Sequence, residues 1–355
     1  MESRQQQRTA RVPPRDAVEL QLLQIWRDVL GTDDIGVTDD FFDVGGASAH
    51  ALQIVGVIRR RFRRRLPLDV FFTAATIEDL AGLLRARRRL AHTCLVPIQP
   101  QGDRPPLFAV HTMGGTVMHY AELARALGPD QPFYGFQATG IAGSRPQRTV
   151  PAMARRYLSD VRSVQAEGPY QLCGYSGGGV IAWEMACQLA EAGETTGALI
   201  LIDTHPATEL PLDTAYWVDL LAHRFLGMSR EAIELQSQPT EVQLAAMLRA
   251  AHRDRVLPPD YGTAELELVL RHYMTAAEAL NAYRPRPYPG RAMLIRTDDH
   301  RDGSDETLGW GACAGDLRVM WISADHFRVI SDEQAPLVAA AMREYLDGER
   351  RRARG

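Results

Sequence analysis

The spacing of apolar positions changes once along this chain, near residue 94, and the change divides it in two. From Asp16 to Leu30, the residues Leu20, Leu23, Trp26, Val29 and Leu30 recur at helical spacing, and the pattern stops at Gly31. A loop rich in Asp and Gly follows over 31–46. Helical spacing returns from Ser48 to Phe62, where Leu52, Val55, Ile58 and Phe62 form an apolar stripe. Thr76 is a candidate N-cap, with Asp79 at the third helical position, for a further helix over 76–86. The pattern predicts a small all-α domain over 16–86, a disordered polar tail over 1–15 and a linker over 87–93.

Beyond Cys94 short β-rich apolar runs take over. They are Leu107 to Val110, Gln171 to Cys173, Ala198 to Ile202, Arg291 to Ile295 and Leu317 to Ile322. Helical segments lie between them at Tyr120 to Leu127, Val150 to Ala166 and Val180 to Ala192. Such alternation predicts an α/β domain over 94–348, with a parallel sheet covered on both faces. A long helical insertion at about 205–290 follows a strand end, a place suited to a lid. The Arg-rich residues 349–355 read as a second disordered tail.

Charge and cysteine usage narrow the classes. A net charge of −4 over 355 residues argues against nucleic acid as the partner, because a duplex binder needs a basic face. Two arginine clusters, Arg59 to Arg65 around Phe62 and Arg85 with Arg87 to Arg89, end helical stretches and read as solvated cations there. Cys94, Cys173, Cys187 and Cys313 lie far apart with no metal-ligand spacing, as expected of reduced core residues in a cytoplasmic protein. The start is polar and no apolar run reaches 18 residues, so neither a signal segment nor a membrane span is expected.

Chemistry concentrates on two serines. Gly174-Tyr175-Ser176-Gly177-Gly178 follows one strand and opens a helix. Glycines flank the serine because side chains would collide in so tight a turn, and the hydroxyl is left standing proud of the sheet. A serine nucleophile needs a base and an orienting acid. His326, just past the last strand, is the expected base; His300 lies in a charged loop. Asp203 ends the apolar strand after the elbow and is favoured as the acid over Asp298 and Asp299, which open a charged turn. Backbone N–H groups of Gly177 and Met113 are the expected oxyanion donors, with His111 a packing residue. The second serine, Ser48, follows Gly45-Gly46 at a helix start. It reads equally well as an ordinary N-cap and as the anchor of a phosphodiester held at a helix N-terminus.

The segment Ile25-Trp26-Arg27-Asp28-Val29-Leu30-Gly31, the run Val37 to Gly46 before Ser48, and Leu66-Pro67-Leu68-Asp69-Val70-Phe71-Phe72 resemble the peptidyl carrier domains of nonribosomal peptide synthetases. That resemblance implies a four-helix carrier bearing 4′-phosphopantetheine on Ser48, donated from coenzyme A by a phosphopantetheinyl transferase. Val96-Pro97-Ile98-Gln99-Pro100, Pro106 to His111, Gly114-Gly115, the elbow and Leu201-Ile202-Asp203 resemble the terminal thioesterase domains of the same synthetases. This second resemblance implies an α/β-hydrolase thioesterase domain with a helical lid, upstream synthetase modules as partners and a peptidyl thioester as substrate. It also implies Asp203 as the acid, since that family places its acid after this strand. The expected activity is chain release by hydrolysis or intramolecular cyclisation. A freestanding serine esterase or editing thioesterase with a helical appendage is the alternative.

Overall fold

The computed structural model describes residues 11–86, 94–140, 146–206, 209–222, 238–254, 256–257, 261–300, 305–331 and 333–354. The chain separates into compact units, with a division between Ala91 and His92. The expected linker over 87–93 lies outside the described residues.

The N-terminal unit contains α1 (Ala17–Leu30), α2 (Ser48–Phe62), the single turn α3 (Val70–Thr73) and α4 (Ile77–Arg85). The α1 start is fixed by Asp16, whose carboxylate accepts from the Val18 and Glu19 N–H groups. Its end is fixed by Gly31 at φ 67°, left-handed as expected of a C-cap glycine. Thr76 caps α4 through the Asp79 N–H. Trp26, Phe41 and Phe71 are all fully buried and meet at the centre, with ring centroids 5.3 Å (Trp26–Phe41) and 4.3 Å (Phe41–Phe71) apart. Glu19 is buried but not unpaired: Arg15 and Arg85 both donate to it, tying α1 to α4.

Of the expected N-terminal tail, residues 1–10 lie outside the described residues, and residues 11–15 are held in place. Val12 accepts from the Val37 N–H at 2.9 Å, and Arg11 pairs with Asp34 and Asp39 across the loop. One backbone bond and two ion pairs hold a segment whose composition alone suggested disorder.

The second unit is built on a 7-stranded sheet in the order β1-β3-β2-β4-β5-β6-β7. The strands are β1 (Leu95–Gln99), β2 (Leu107–Val110), β3 (Phe133–Phe136), β4 (Tyr170–Tyr175), β5 (Thr196–Ile202), β6 (Tyr288–Arg296) and β7 (Ala314–Trp321). The sheet is not wholly parallel, as the alternation implied. β1 runs antiparallel on β3 at the edge, where Pro97 costs no central ladder bond. Helices α5 (Ala121–Leu127), α6 (Val150–Val164), α7 (Gly177–Glu191) and α11 (Ala335–Arg354) cover it. Leu199 and Leu201 join the cluster with α6 and α7. Ile200 and Ile202, equally buried, point the other way by strand alternation.

The insertion between β5 and β6 holds α8 (Thr214–Leu220), α9 (Thr240–Arg253) and α10 (Thr263–Ala282). The expected C-terminal tail is instead the last turns of α11, which runs to Arg354. There Glu349 accepts from Arg291 and Arg352, and Arg350 pairs with Asp347. Arginines spaced three apart from carboxylates extend the helix rather than dissolve it. Of the four free cysteines, Cys94, Cys173 and Cys187 are buried, whereas Cys313 is half-buried and so departs from the expected core position. Among the described residues no helix is long and apolar enough to cross a membrane, and no cluster of His, Cys, Asp or Glu is arranged to hold a metal ion.

Candidate active site

Strand order explains where the chemistry can sit. β2 has β3 on one side and β4 on the other, so the loops after β2 and β4 diverge at a switch point and leave a crevice at their carboxyl ends. The β4 loop is the elbow. Ser176 adopts φ 55° and ψ −132°, a left-handed conformation that non-glycine residues avoid, and its N–H donates to the Ile202 carbonyl at 2.9 Å. Gly178 must be glycine: a Cβ there would lie 2.4 Å from the His111 carbonyl oxygen. That contact packs the start of α7 directly onto the loop after β2.

Three of the expected residues meet here. Ser176 Oγ is 3.0 Å from His326 Nε2, and His326 Nδ1 is 2.6 Å from Asp203 Oδ2. Asp203 is almost wholly buried, and the other face of its carboxylate is satisfied as well. Oδ1 accepts from both the backbone N–H and the hydroxyl of Thr297, each at 3.0 Å. Those donors favour the ionised carboxylate, which in turn fixes the proton of the imidazole on Nδ1 and leaves Nε2 to accept from Ser176.

The carboxylate at His326 Nδ1 is that of Asp203 and not of Asp298 or Asp299, yet neither of these two is merely solvated. Asp298 Oδ2 accepts from the Ser323 hydroxyl at 2.6 Å, and Asp299 Oδ2 accepts from the His326 N–H at 2.7 Å. Both hold the loop that carries His326. Thr297 and Thr204 (whose hydroxyl donates to the Ser176 carbonyl at 3.0 Å) are contributors that sequence reasoning missed, and Asp299, weighed there only as an alternative acid, holds the His326 N–H instead. The available signal was their position: each lies at or just beyond a strand's carboxyl end, beside a residue already singled out. The side chain of His300 lies outside the described residues.

Gly177 and Met113 are neighbours, since a Cβ on Gly177 would come within 3.1 Å of Met113 Cγ. Gly177 opens α7, so its N–H belongs to the first turn, which lacks intrahelical acceptors. Beside them opens an apolar cavity of about 490 Å³, mouth included, whose lining includes Met113, Tyr157, Ile181, His272 and Leu280. α10 covers this side: Tyr273 Oη would lie 2.7 Å from a Cβ on Gly114. His111 packs as expected. Its ring is buried, bonds Tyr157 Oη at 2.7 Å, and burial pushes its pKa down to about 4.

In the N-terminal unit the other serine has a different setting. Ala47, not Ser48, is the N-cap of α2, and His50 Nδ1 takes up the Ala47 N–H. Ser48 is therefore the first residue of the helix, exposed, with a hydroxyl that is not used as a cap. The preceding Gly46 is forced, because a Cβ would lie 2.4 Å from the Phe41 carbonyl oxygen. An exposed hydroxyl at the start of a 15-residue helix, beside first-turn N–H groups, fits a phosphodiester well.

A serine, histidine and aspartate aligned at the carboxyl edge of such a sheet define an α/β-hydrolase. Residues 105–345 match the thioesterase domain family, and residues 21–84 match the phosphopantetheine attachment site family. The chain belongs to the thioesterase domain family. It is 32% identical over 289 residues to a dimodular nonribosomal peptide synthase of Bacillus subtilis (strain 168), covering 80% of this chain and 12% of that protein. It is 39% identical over 192 residues to an indigoidine synthase of Dickeya dadantii (strain 3937), covering 54% of this chain and 13% of that one. Thus the chain spans only a small part of the length of these relatives. A holo four-domain nonribosomal peptide synthetase bound to AMP and glycine superposes with TM-score 0.67 at 26% identity, over 96% of this chain and 27% of that one. The NocB thioesterase domain, in covalent complex with a fluorophosphonate nocardicin G analogue, superposes with TM-score 0.55 at 25% identity, over 72% of this chain and 100% of that one. The chain is thus a thioesterase preceded by a helical carrier unit, whose family cofactor is covalent 4′-phosphopantetheine.

Proposed function

We propose that this chain releases a finished peptidyl chain from a nonribosomal peptide synthetase, with Ser176 as nucleophile, His326 as general base and acid, and Asp203 as the group that orients the imidazole. The observation that carries the reading is the continuous alignment from Asp203 through His326 to Ser176, together with a carrier unit on the same polypeptide. When bound to Ser48, 4′-phosphopantetheine supplies a thiol on which an acyl group is held as a thioester.

Ser176 Oγ gives its proton to His326 Nε2 as it bonds the acyl carbonyl carbon. Asp203 stabilises the imidazolium that results, without itself taking the proton. The N–H groups of Gly177 and Met113 receive the oxyanion; one such donor contributes roughly 3 kcal/mol of transition-state stabilisation. His326 then returns its proton to the departing sulfur, leaving an ester on Ser176. In the second half His326 takes a proton from water, or from an amine or hydroxyl of the bound acyl chain, as that oxygen or nitrogen attacks the ester, and returns it to Ser176 Oγ as the bond between that oxygen and the acyl carbon breaks. The insertion over 205–290 acts as the lid that selects between hydrolysis and cyclisation by admitting or excluding water. Upstream synthetase modules deliver the chain, and a phosphopantetheinyl transferase with coenzyme A primes Ser48.

Intact-protein mass spectrometry tests the reading. After priming and loading with a peptidyl group, Ser176→Ala retains the acyl mass on the carrier, whereas the unaltered protein loses it. Release at the unaltered rate by Ser176→Ala removes the proposal.

A further inference from the structure

The main chain of His326 is gripped on both sides of its Cα. On one side the His326 N–H donates to Asp299 Oδ2 at 2.7 Å. On the other, the Tyr175 hydroxyl donates to the His326 carbonyl oxygen. The two partners come from different strands: Asp299 lies in the turn after β6, and Tyr175 is the last residue of β4, immediately before the elbow serine.

Each partner is itself anchored. The Asp299 turn is fastened to the histidine loop by the Asp298 N–H donating to the Ala324 carbonyl and by the Ser323 hydroxyl donating to Asp298. The Tyr175 N–H donates to Tyr120 Oη at 3.1 Å, and Tyr120 Oη donates to the Val110 carbonyl at 2.7 Å, where the oxyanion loop begins. The Tyr175 ring also lies against the imidazole, with centroids 5.2 Å apart and planes inclined by 41°. Burial, and then the carboxylates of Asp203, Asp325 and Asp299, push the Tyr175 phenol well above its ordinary range, so it remains a donor throughout the working pH range.

We infer that Tyr175 and Asp299 are positioning residues that hold the main chain of His326 so that its ring stays in line between Asp203 and Ser176. The inference rests on the reading of Ser176, His326 and Asp203 given above. Its physical content is that the Asp203 contact fixes the ring at one atom only, which leaves the ring free to swing about that bond. Holding the main chain of residue 326 at its N–H and its carbonyl fixes the pivot of the ring, and pivot and Asp203 contact together limit the swing before substrate arrives. Because Tyr175 precedes Ser176, one residue sets the register of the nucleophile and that of the base together.

The test uses the full chain, a fluorophosphonate probe and p-nitrophenyl butyrate as a small ester. Tyr175→Phe, which removes a single oxygen, and Asp299→Ala are each expected to lower kcat and the labelling rate on the order of tenfold, the rate equivalent of one lost hydrogen bond. KM and the thermal midpoint are expected to stay near their starting values. Asp299→Asn keeps an acceptor for the His326 N–H and is expected to recover activity to within about twofold of the unaltered chain, as an argument from hydrogen bonding rather than charge requires. Proton NMR should show the low-field His326 Nδ1–H signal broadened in Tyr175→Phe. Labelling of both Tyr175→Phe and Asp299→Ala at the unaltered rate overturns the inference, as does Asp299→Asn behaving like Asp299→Ala. Ser176→Ala is the control on the underlying reading: if it is still labelled at the normal rate, that reading fails whatever Tyr175 does.

Discussion

Ser48 and Ser176 share a sequence context and little else. Each follows glycine closely, and each stands where a helix of 15 residues begins. Ser48 takes an ordinary place in the first turn of α2, is exposed, and bonds no base. Ser176 sits one position earlier relative to its helix, at the cap, in a left-handed conformation with an imidazole 3.0 Å away. A hydroxyl with no base beside it must be modified by another enzyme's chemistry. A strained one, aligned with a base, can do its own. On the proposed mechanism, backbone conformation and neighbours, rather than residue type or the glycines, separate the serine that acts as nucleophile from the one that carries the arm.

The sharpest way to break this contrast is to remove each hydroxyl separately. Ser48→Ala is expected to gain no mass with coenzyme A and a phosphopantetheinyl transferase, yet to label with a fluorophosphonate as the unaltered chain does. Ser176→Ala is expected to show the reverse. A protein labelled at Ser48, or primed at Ser176, would erase the distinction.

Next in size is Asp203→Asn, which preserves shape but presents the imidazole with an amide. A fall in kcat of about 10⁴ is expected for ester hydrolysis, with priming of Ser48 untouched. Thr297→Val should cost less, roughly tenfold in kcat, because the backbone N–H of residue 297 still serves Asp203 after the hydroxyl is gone. Equal turnover by Thr297→Val and the unaltered chain would show that the carboxylate needs only one donor.

A separate effect, on stability rather than rate, concerns the thioesterase unit in acid. His111 is buried with its pKa lowered to about 4, so the unfolded chain binds a proton that the folded chain refuses between roughly pH 6.5 and 4. That contribution is complete above pH 6.5 and is lost as the pH falls through this window, amounting to roughly 3 kcal/mol at its lower end. Calorimetry should find a midpoint that drops with acid across this range, with a shallower dependence in His111→Gln. The N-terminal unit, where Glu19 is held ionised by Arg15 and Arg85, should begin to weaken only at lower pH, as the carboxylates protonate.

Much of this was legible before any coordinates. Helices α1 and α4 were readable to within a residue, because Gly31 and Thr76 are strong punctuation. That Ser176, His326 and Asp203 could meet was readable because each lies at or shortly past the carboxyl end of a strand. What escaped has physical causes. β3 is only Phe133–Phe136, too short to show a period, and β1 carries a proline that argues against a strand. The cap reading of Ser48, open because serine is favoured there, fails because the cap lies one residue earlier, at Ala47, whose N–H is taken up by His50 Nδ1. Asp299 and Thr297 act through contacts to loops distant in sequence, which no local pattern encodes. The C-terminal arginines suggested a loose end, and only the pairing with Glu349 and Asp347 shows why they remain helical.

Asp203 also occupies left-handed backbone, at φ 44°. Asparagine and aspartate bear that conformation better than other side chains with a Cβ. Shape therefore admits both of these amino acids at this point, and only the charge that the proposed mechanism needs tells them apart. A descendant of this chain that had given up turnover while keeping its architecture would be expected to record the loss here first, as a carboxylate exchanged for an amide.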